Sequence, residues 1–555
     1  MLLILAPRTR RRIGLVIVLC LAGIGLLLAA SGNVAWAQRL PTRPAPAAAS
    51  PAPQPATAPI TYVYLRGAND TIGVEVIRHT ATTVAGTLTM KGQPRVEWTH
   101  ALRGGVPSTL TMRMFAPGAA ADAAPLQAGT IDVRGDSAFV DFSGGGQSMK
   151  RSVPTAKGAM PLVNASVLHA ALLAAHARLT NITTLPVFLT SGAQTIPAAI
   201  SQAADTTLMK LANSDMRIVA GRDGMPATVL LPGQNARVVR ASSAVGESAG
   251  RINYDAPAGA PYVSEHVRIP SGRGYDLAAT LTKPKGVAKA PVVITISGSG
   301  PQDRDGRIAI VPGYQPFRQI ADTLGRRGVA VLRFDDRGIG ESGGLPTVAK
   351  STSADFADDV RSLIIWLRAR PDIDGTRIVL AGHSEGGIIA PMIAATDPKL
   401  RAIALLAGTA YSGKRILLYQ NQQGVNALTN LSQKQRDSVM AGVPAQLDSA
   451  GKANPWLGFF MAHDPLVTAR RVKQPVLVLQ GLTDQQVTPE QADTLAAVLR
   501  ASGNRDVVTT KVPATNHLLL SDPSGAPQGY TTLKDVRVPR AVLGPLVDWV
   551  LRVAK

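Results

Sequence analysis

Between about Ile60 and Ala260 the chain alternates apolar and polar residues in short runs, such as Thr71 to Arg78 and Ser108 to Met114, separated by Gly, Asp and Pro. A two-residue period puts alternate side chains on one face, so this region predicts half-buried antiparallel strands. Val163 to Leu179 breaks that rhythm; rich in Ala and Leu and free of Gly and Pro, it predicts one largely buried helix. From about Val263 the pattern changes again. Pro291 to Ile296, Val329 to Phe334, Ile378 to Ala381, Ile403 to Leu406 and Val476 to Leu479 are short β-branched or Leu-rich runs that suit strands buried on both faces. They alternate with helical patterns at Phe317 to Arg326, at Thr352 to Arg370, which opens on a capping-box-like Thr352-x-x-Asp355, and at Pro539 to Val553. That alternation predicts an α/β domain over 261–555, a mostly parallel sheet with crossover helices, behind a β-rich domain over 60–260 that contains one buried helix. An insertion of about residues 408–471 carries Trp456, Leu457, Phe459, Phe460 and Met461, which read as packing residues of a helical lid rather than a cofactor box.

Length agrees with two domains, because 555 residues exceed what one hydrophobic core organises. At the N-terminus, Arg10 to Arg12 precede an uninterrupted apolar run from Ile13 to Ala30 and the small-residue pattern Ala35-Trp36-Ala37. This predicts an export signal over residues 1–37, cleaved after Ala37, and a periplasmic or secreted protein. The alternative is an uncleaved membrane anchor, since the run is just long enough to span a bilayer. Thr9-Arg10-Arg11 bears a weak likeness to a twin-arginine signal, so the export route stays open. Residues 38–59, almost entirely Pro, Ala, Ser and Thr, read as a linker. Cys20, the only cysteine, falls inside the signal, which leaves the mature chain without disulfides or thiolate ligands. The formal charge of +21 is dispersed, and only 4% of residues are aromatic. Both features argue for a solvated basic surface and against a nucleic-acid partner.

The chemistry concentrates at Gly382-His383-Ser384-Glu385-Gly386. It follows the strand-like Ile378 to Ala381 and precedes the apolar Gly387 to Ala390, the strand, sharp turn and helix of a nucleophile elbow. A serine hydroxyl needs a base, and if the order is Ser, acid, His, that base lies downstream. After Ser384 there are only His463 and His517. His463 sits in the insertion, whereas His517 follows the strand-like Val507 to Val512 and is the candidate base. Gln474 to Gln480 is the strand between them, so Asp484 just past its end is the candidate acid; Asp464 and Asp506 follow no core strand. For an oxyanion hole, the backbone NH groups of Glu385 and Ser299 are the candidates, the latter in the small-residue loop Ser297-Gly298-Ser299-Gly300-Pro301.

Three motifs in order, Ser297 to Asp305, Arg333-Phe334-Asp335-Asp336-Arg337-Gly338-Ile339-Gly340-Glu341-Ser342 and Gly382 to Gly387, resemble the α/β-hydrolase superfamily, and within it a bacterial group of EstD-like carboxylesterases that borders the serine aminopeptidase family. The resemblance covers roughly Val263 to Lys555. It implies hydrolysis of small-molecule carboxylic esters through an acyl-enzyme, with Ser384, Asp484 and His517 as the triad and no cofactor. It says little about residues 60–260.

Other patterns have plainer readings. Gly338-Ile339-Gly340-Glu341-Ser342-Gly343 matches a dinucleotide fingerprint in letters, but Gly344 and Pro346 continue a loop where a helix must open, so it reads as a turn. Asp303, Arg304, Asp305, Asp335, Asp336 and Arg337 read as a network bracing loops. No histidine pair has zinc-ligand spacing. Two rival functions remain: a serine peptidase acting on short peptides, with Glu385 holding the substrate amine, and an envelope ligand-binding protein whose hydrolase part is secondary.

Overall fold

The computed structural model describes residues 58–554, with breaks at 67–69, 104–105, 118–122, 145–146, 191–192, 242–251 and 429–430 and at positions 204, 213, 222, 309 and 312. The signal segment with Cys20 and nearly all of the 38–59 linker lie outside the described residues. Two compact units divide between Asn253 and Tyr254. The boundary falls ahead of residue 261 because Tyr254 is part of the second unit: its ring packs under the Arg304 guanidinium at 4.2 Å and its hydroxyl donates to Asp303 at 3.0 Å.

The first unit is β-rich. β1 (Ile60–Arg66), β2 (Asp70–His79), β3 (Thr83–Met90), β4 (Arg95–Arg103), β5 (Val106–Phe115), β6 (Gln127–Arg134), β7 (Ser137–Gly144) and β8 (Gln147–Pro154) form an antiparallel meander. β9 (Met160–Leu162) and α1 (Val167–Leu179) lead into a second meander of β10 (Thr184–Leu189), β11 (Gln194–Ala203), β12 (Thr206–Leu211), β13 (Ser214–Ala220), β14 (Pro226–Leu231) and β15 (Ala236–Arg240). Antiparallel pairing of β1 with β15, Tyr62 opposite Arg240, joins the two into one sheet of fifteen strands among the described residues.

α1 starts at Val167 rather than Val163. Ser166 caps it, accepting from the His169 backbone NH, while the Val163 NH is committed to His169 Nδ1 at 3.1 Å. The helix buries Leu168, Ala170, Ala171, Leu173 and Ala174 against the sheet. Within this core lies a polar knot. The fully buried Glu75 carboxylate accepts from Trp98 Nε1 at 2.8 Å, from Ser166 Oγ at 2.7 Å and from the Tyr64 hydroxyl. Trp98 stacks on His169 at 4.3 Å, and His169 bonds the His100 ring at 2.9 Å.

The second unit is a single mostly parallel sheet. β16 (Tyr262–Pro270) and β17 (Asp276–Pro284) form an antiparallel hairpin that the apolar pattern does not single out. β18 (Ala290–Ile296), β19 (Ala330–Phe334), β20 (Ile373–His383), β21 (Ala402–Leu406), β22 (Val476–Gly481) and β23 (Val507–Val512) follow, in the spatial order β16-β17-β19-β18-β20-β21-β22-β23. Pairing from β19 to β23 is parallel throughout. The strands are apolar on both faces because helices cover both. Val292, Ile294 and Ile296 of β18 join the core on one side, and Val293 joins the core on the other. α4 (Ser353–Arg368) and α5 (Gly386–Ala394) cover the first face together with α10 (Glu490–Ala501); α2 (Pro316–Gly325) and α11 (Arg540–Val553) cover the second. The predicted capping box at Thr352 and Asp355 is present at the start of α4.

The 338–343 glycine motif is a turn, with the Gly338 NH donating to Gly343 O at 2.7 Å; only the short α3 (Leu345–Val348) follows it. Between β21 and β22 the chain inserts α6 (Gly413–Asn426), α7 (Gln433–Ala453), α8 (Pro455–Ala462) and α9 (Pro465–Ala469). Leu417, Val443, Leu447, Leu457 and Phe460 of these helices pack with Ile388 of α5 as a small core of their own. Among the described residues no helix is long and apolar enough to cross a membrane.

Candidate active site

β20 ends at His383 and α5 opens at Gly386, with Ser384 in the turn at φ +54°. A residue with a Cβ in that left-handed region costs about 1 kcal/mol or more, which the surrounding packing must overcome. The flanking glycines make the turn possible. A Cβ at Gly382 would stand 2.0 Å from Gly386 O, and one at Gly386 would stand 2.4 Å from Ile296 O. The result places Ser384 at the N-terminus of α5, where the first backbone NH groups lack intrahelical partners.

Of the two partners read from the sequence, His517 meets Ser384 in space and Asp484 meets His517. His517 Nε2 lies 3.0 Å from Ser384 Oγ, and His517 Nδ1 lies 2.9 Å from Asp484 Oδ2. Asp484, buried in the loop after β22, accepts at Oδ1 from the Gln486 and Val487 NH groups at 2.8 and 2.9 Å and at Oδ2 from Gln480 Nε2 at 2.9 Å. Those donors fix the carboxylate so that Oδ2 faces the ring. The His517 loop is held in turn: Asn516 Oδ1 accepts from the Leu518 and Leu520 NH groups, and the Tyr314 hydroxyl donates to Leu518 O at 3.0 Å. His383 Nε2 donates to His517 O at 2.8 Å. Burial, reinforced by the neighbouring His517, pushes the His383 ring down to about 4, so it is a neutral donor.

Ser299 lines the small pocket that holds Ser384 and His517. Its loop is anchored by Asp336, which accepts from Ser297 Oγ at 2.5 Å and from the Gln302 NH at 3.1 Å. The Glu385 side chain lies buried, accepting from Ser353 Oγ at 2.6 Å and Trp456 Nε1 at 2.8 Å, with the Ser299 hydroxyl also acting on it. Burial pushes this carboxyl up, and the three donors offset part of that effect. The charged run braces loops. Arg304 forks onto Asp335 at 3.0 and 2.7 Å, and Arg337 onto Asp359 at 2.8 Å twice.

His463, Asp464 and Asp506 stay outside the site. His463 and Asp464 cap α8 and α9, and Asp506 pairs with Arg552. Sequence reasoning gave Trp456 only a packing role and did not reach Ser353 at all, because neither carries a motif. Among the described residues no cluster of side chains could hold a metal ion.

The serine aminopeptidase S33 family model matches residues 303–470, a span that includes Ser384. Esterase EstD of Thermotoga maritima is 26% identical over 291 residues, covering 50% of this chain and 66% of its own length. The second unit thus resembles the EstD-like α/β-hydrolases in sequence. Monoacylglycerol lipase of Mycolicibacterium smegmatis is 28% identical over 229 residues, covering 40% of this chain and 76% of that protein. The chain thus spans just under two thirds of EstD. Among solved structures, the Pyrococcus furiosus esterase PF2001 aligns at a TM-score of 0.37 and 17% identity, over 55% of this chain and 96% of that one. The strand order of the second unit, not that score, carries the fold assignment.

Proposed function

We propose that the protein hydrolyses carboxylic esters through a Ser384-His517-Asp484 triad and an acyl-enzyme intermediate. The relay of two hydrogen bonds from Ser384 through His517 to Asp484 carries the reading. His517 Nε2 takes the hydroxyl proton as Ser384 Oγ attacks the ester carbonyl, and Asp484 holds the ring in the tautomer with its proton on Nδ1 and stabilises the imidazolium. The NH groups of Ser299 and Glu385 donate to the oxyanion. His517 then protonates the departing alkoxide, and water repeats the sequence to free the acid.

Ester rather than peptide cleavage is supported by the state of Glu385. A carboxylate that receives a substrate ammonium needs an open, charged face, whereas this one is 3% exposed and already engaged by Ser353 and Trp456. The names of EstD and of the monoacylglycerol lipase point the same way. Export, inferred from residues 1–37, puts the reaction outside the cytoplasm; N-terminal sequencing beginning at Gln38 supports this, and an intact Met1 in the membrane fraction overturns it. Purified protein offered nitrophenyl esters beside aminoacyl nitroanilides tests the main reading: esters are expected to dominate, and dominant anilide cleavage reverses it.

A further inference from the structure

Two cavities meet at Gly298. The smaller, about 50 Å³, holds Ser384 and His517 and is walled by Tyr314, Ile416 and Phe460. The larger, about 300 Å³, lies on the other side of the 296–301 loop, among Phe334, Ile339, Phe356, Val360, Ile389 and Trp456. Gly298 lines both, and a Cβ built there would stand 3.1 Å from Ser384 Cβ. Glycine at 298 therefore lets this loop pass close beside Ser384 at the point where the two cavities adjoin. One helix of the insertion serves both cavities: Trp456 and Phe460, one turn apart on α8 and stacked at 5.4 Å, wall the larger and the smaller respectively.

The charged groups around the larger chamber are already engaged within the protein. Asp336 is taken by Ser297 and the Gln302 NH, and Glu385 by Ser353 and Trp456. Arg337 is spent on Asp359, Ser351 and Asp355 O. What remains to meet a ligand is mostly aromatic and aliphatic surface. The reaction assigns the two halves of an ester to the two sides. His517 must hand its proton to the leaving oxygen, so the alcohol lies beside His517 in the smaller cavity. The acyl chain, fixed by its carbonyl carbon to Ser384 Oγ, then turns the other way, past Gly298.

We infer that the larger chamber is the acyl-chain site and that it selects esters of medium-chain apolar acids with small alcohols. At the ~30 Å³ that one water-sized group occupies, the chamber takes roughly ten non-hydrogen atoms. The inference rests on the esterase reading above.

The test is a reciprocal ester series on the full chain: ethyl esters from acetate through octanoate and decanoate to palmitate, and acetate esters from ethyl to decyl. Each methylene buried in the chamber is worth about fourfold in kcat/KM. The acyl series is expected to climb to octanoate or decanoate and fall at palmitate, while the alcohol series declines from ethyl onward. Ala349→Trp, at the chamber's exposed rim, is expected to cut the decanoate-to-acetate ratio about tenfold or more. A flat acyl series, a preference for long alcohols on acetate, or an unchanged ratio in the variant overturns the assignment while leaving the esterase reading intact. Absence of any ester turnover and of fluorophosphonate labelling of wild-type protein overturns both. The wild-type series decides the matter by itself if Ala349→Trp does not fold.

Discussion

Trp456 Nε1 donates to Glu385 Oε1 at 2.8 Å, so a helix of the 408–471 insertion is fastened to the residue directly after Ser384. The same carboxylate holds Ser353 at the start of α4 and feels the hydroxyl of Ser299 in the 297–301 loop, the proposed oxyanion loop. Trp456→Phe keeps the ring and removes the donor. Losing a hydrogen bond to a buried acceptor costs about 1–3 kcal/mol. For an acetate ester, kcat is expected to fall about tenfold with KM little changed, because the oxyanion NH groups lose their alignment. An unchanged kcat would show that the insertion does not set the oxyanion loop.

Removing the proposed nucleophile is the plainest check. Ser384→Ala is expected to lower kcat by about 10⁶ and to abolish covalent labelling by a fluorophosphonate, while Asp484→Asn, which leaves the wrong tautomer favoured, loses about 10⁴. Labelling of Ser384→Ala at the wild-type rate sinks the assignment.

His383 makes stability depend on pH. Its folded value near 4 lies below the ordinary 6.5, and the cause is first burial and then the nearby His517. The unfolded chain therefore binds a proton that the folded chain refuses between those values, so this contribution is full above 6.5 and disappears as pH falls toward 4. The shift corresponds to roughly 3 kcal/mol. Buried Asp336 and Glu385, whose carboxyls are pushed up by burial, act with the opposite sign. Comparing wild type with His383→Gln cancels them. Melting of the wild type is expected to fall more steeply from pH 6.5 to 4 than that of the variant, and parallel curves would contradict this account.

In the first unit, Glu75→Ala strands the donors of Trp98, Ser166 and Tyr64 inside the core. The cost is about 3–5 kcal/mol, the price of unpaired buried polar groups. Amide hydrogen exchange along α1, whose cap Ser166 loses a partner, is expected to accelerate before that of β3 and β4. Unchanged protection of α1 would mean that the knot does not hold the helix.

Much of the second unit is legible because strand order along the chain dictates which loops end beside one another. Ser384, Asp484 and His517 each follow a recognisable buried strand, and only two histidines compete for the base. The β16–β17 hairpin is not legible, since its outward residues, such as Glu265, His266 and Arg268, dilute the apolar signal of an edge pair. Ser353, Trp456 and Glu385 are far apart in sequence and converge only through helix packing, which no local spacing encodes. In the first unit, alternation predicts strands but not their neighbours. That fifteen of them share one sheet depends on a pairing between the first and last strands of the unit.

That pairing, Tyr62 against Arg240, is a seam at the middle of the sheet rather than at its rim. Each meander is assembled from adjacent hairpins and needs only short loops to close, whereas the seam must wait for β15 and pays the loop entropy of nearly the whole unit. Until then two open strand edges face each other, the kind of surface that recruits foreign strands. A chain ending after Leu231 would therefore lose no mere border strand; it would remove the backbone pairing that joins the two half-sheets and leave α1 and its polar knot to hold them together.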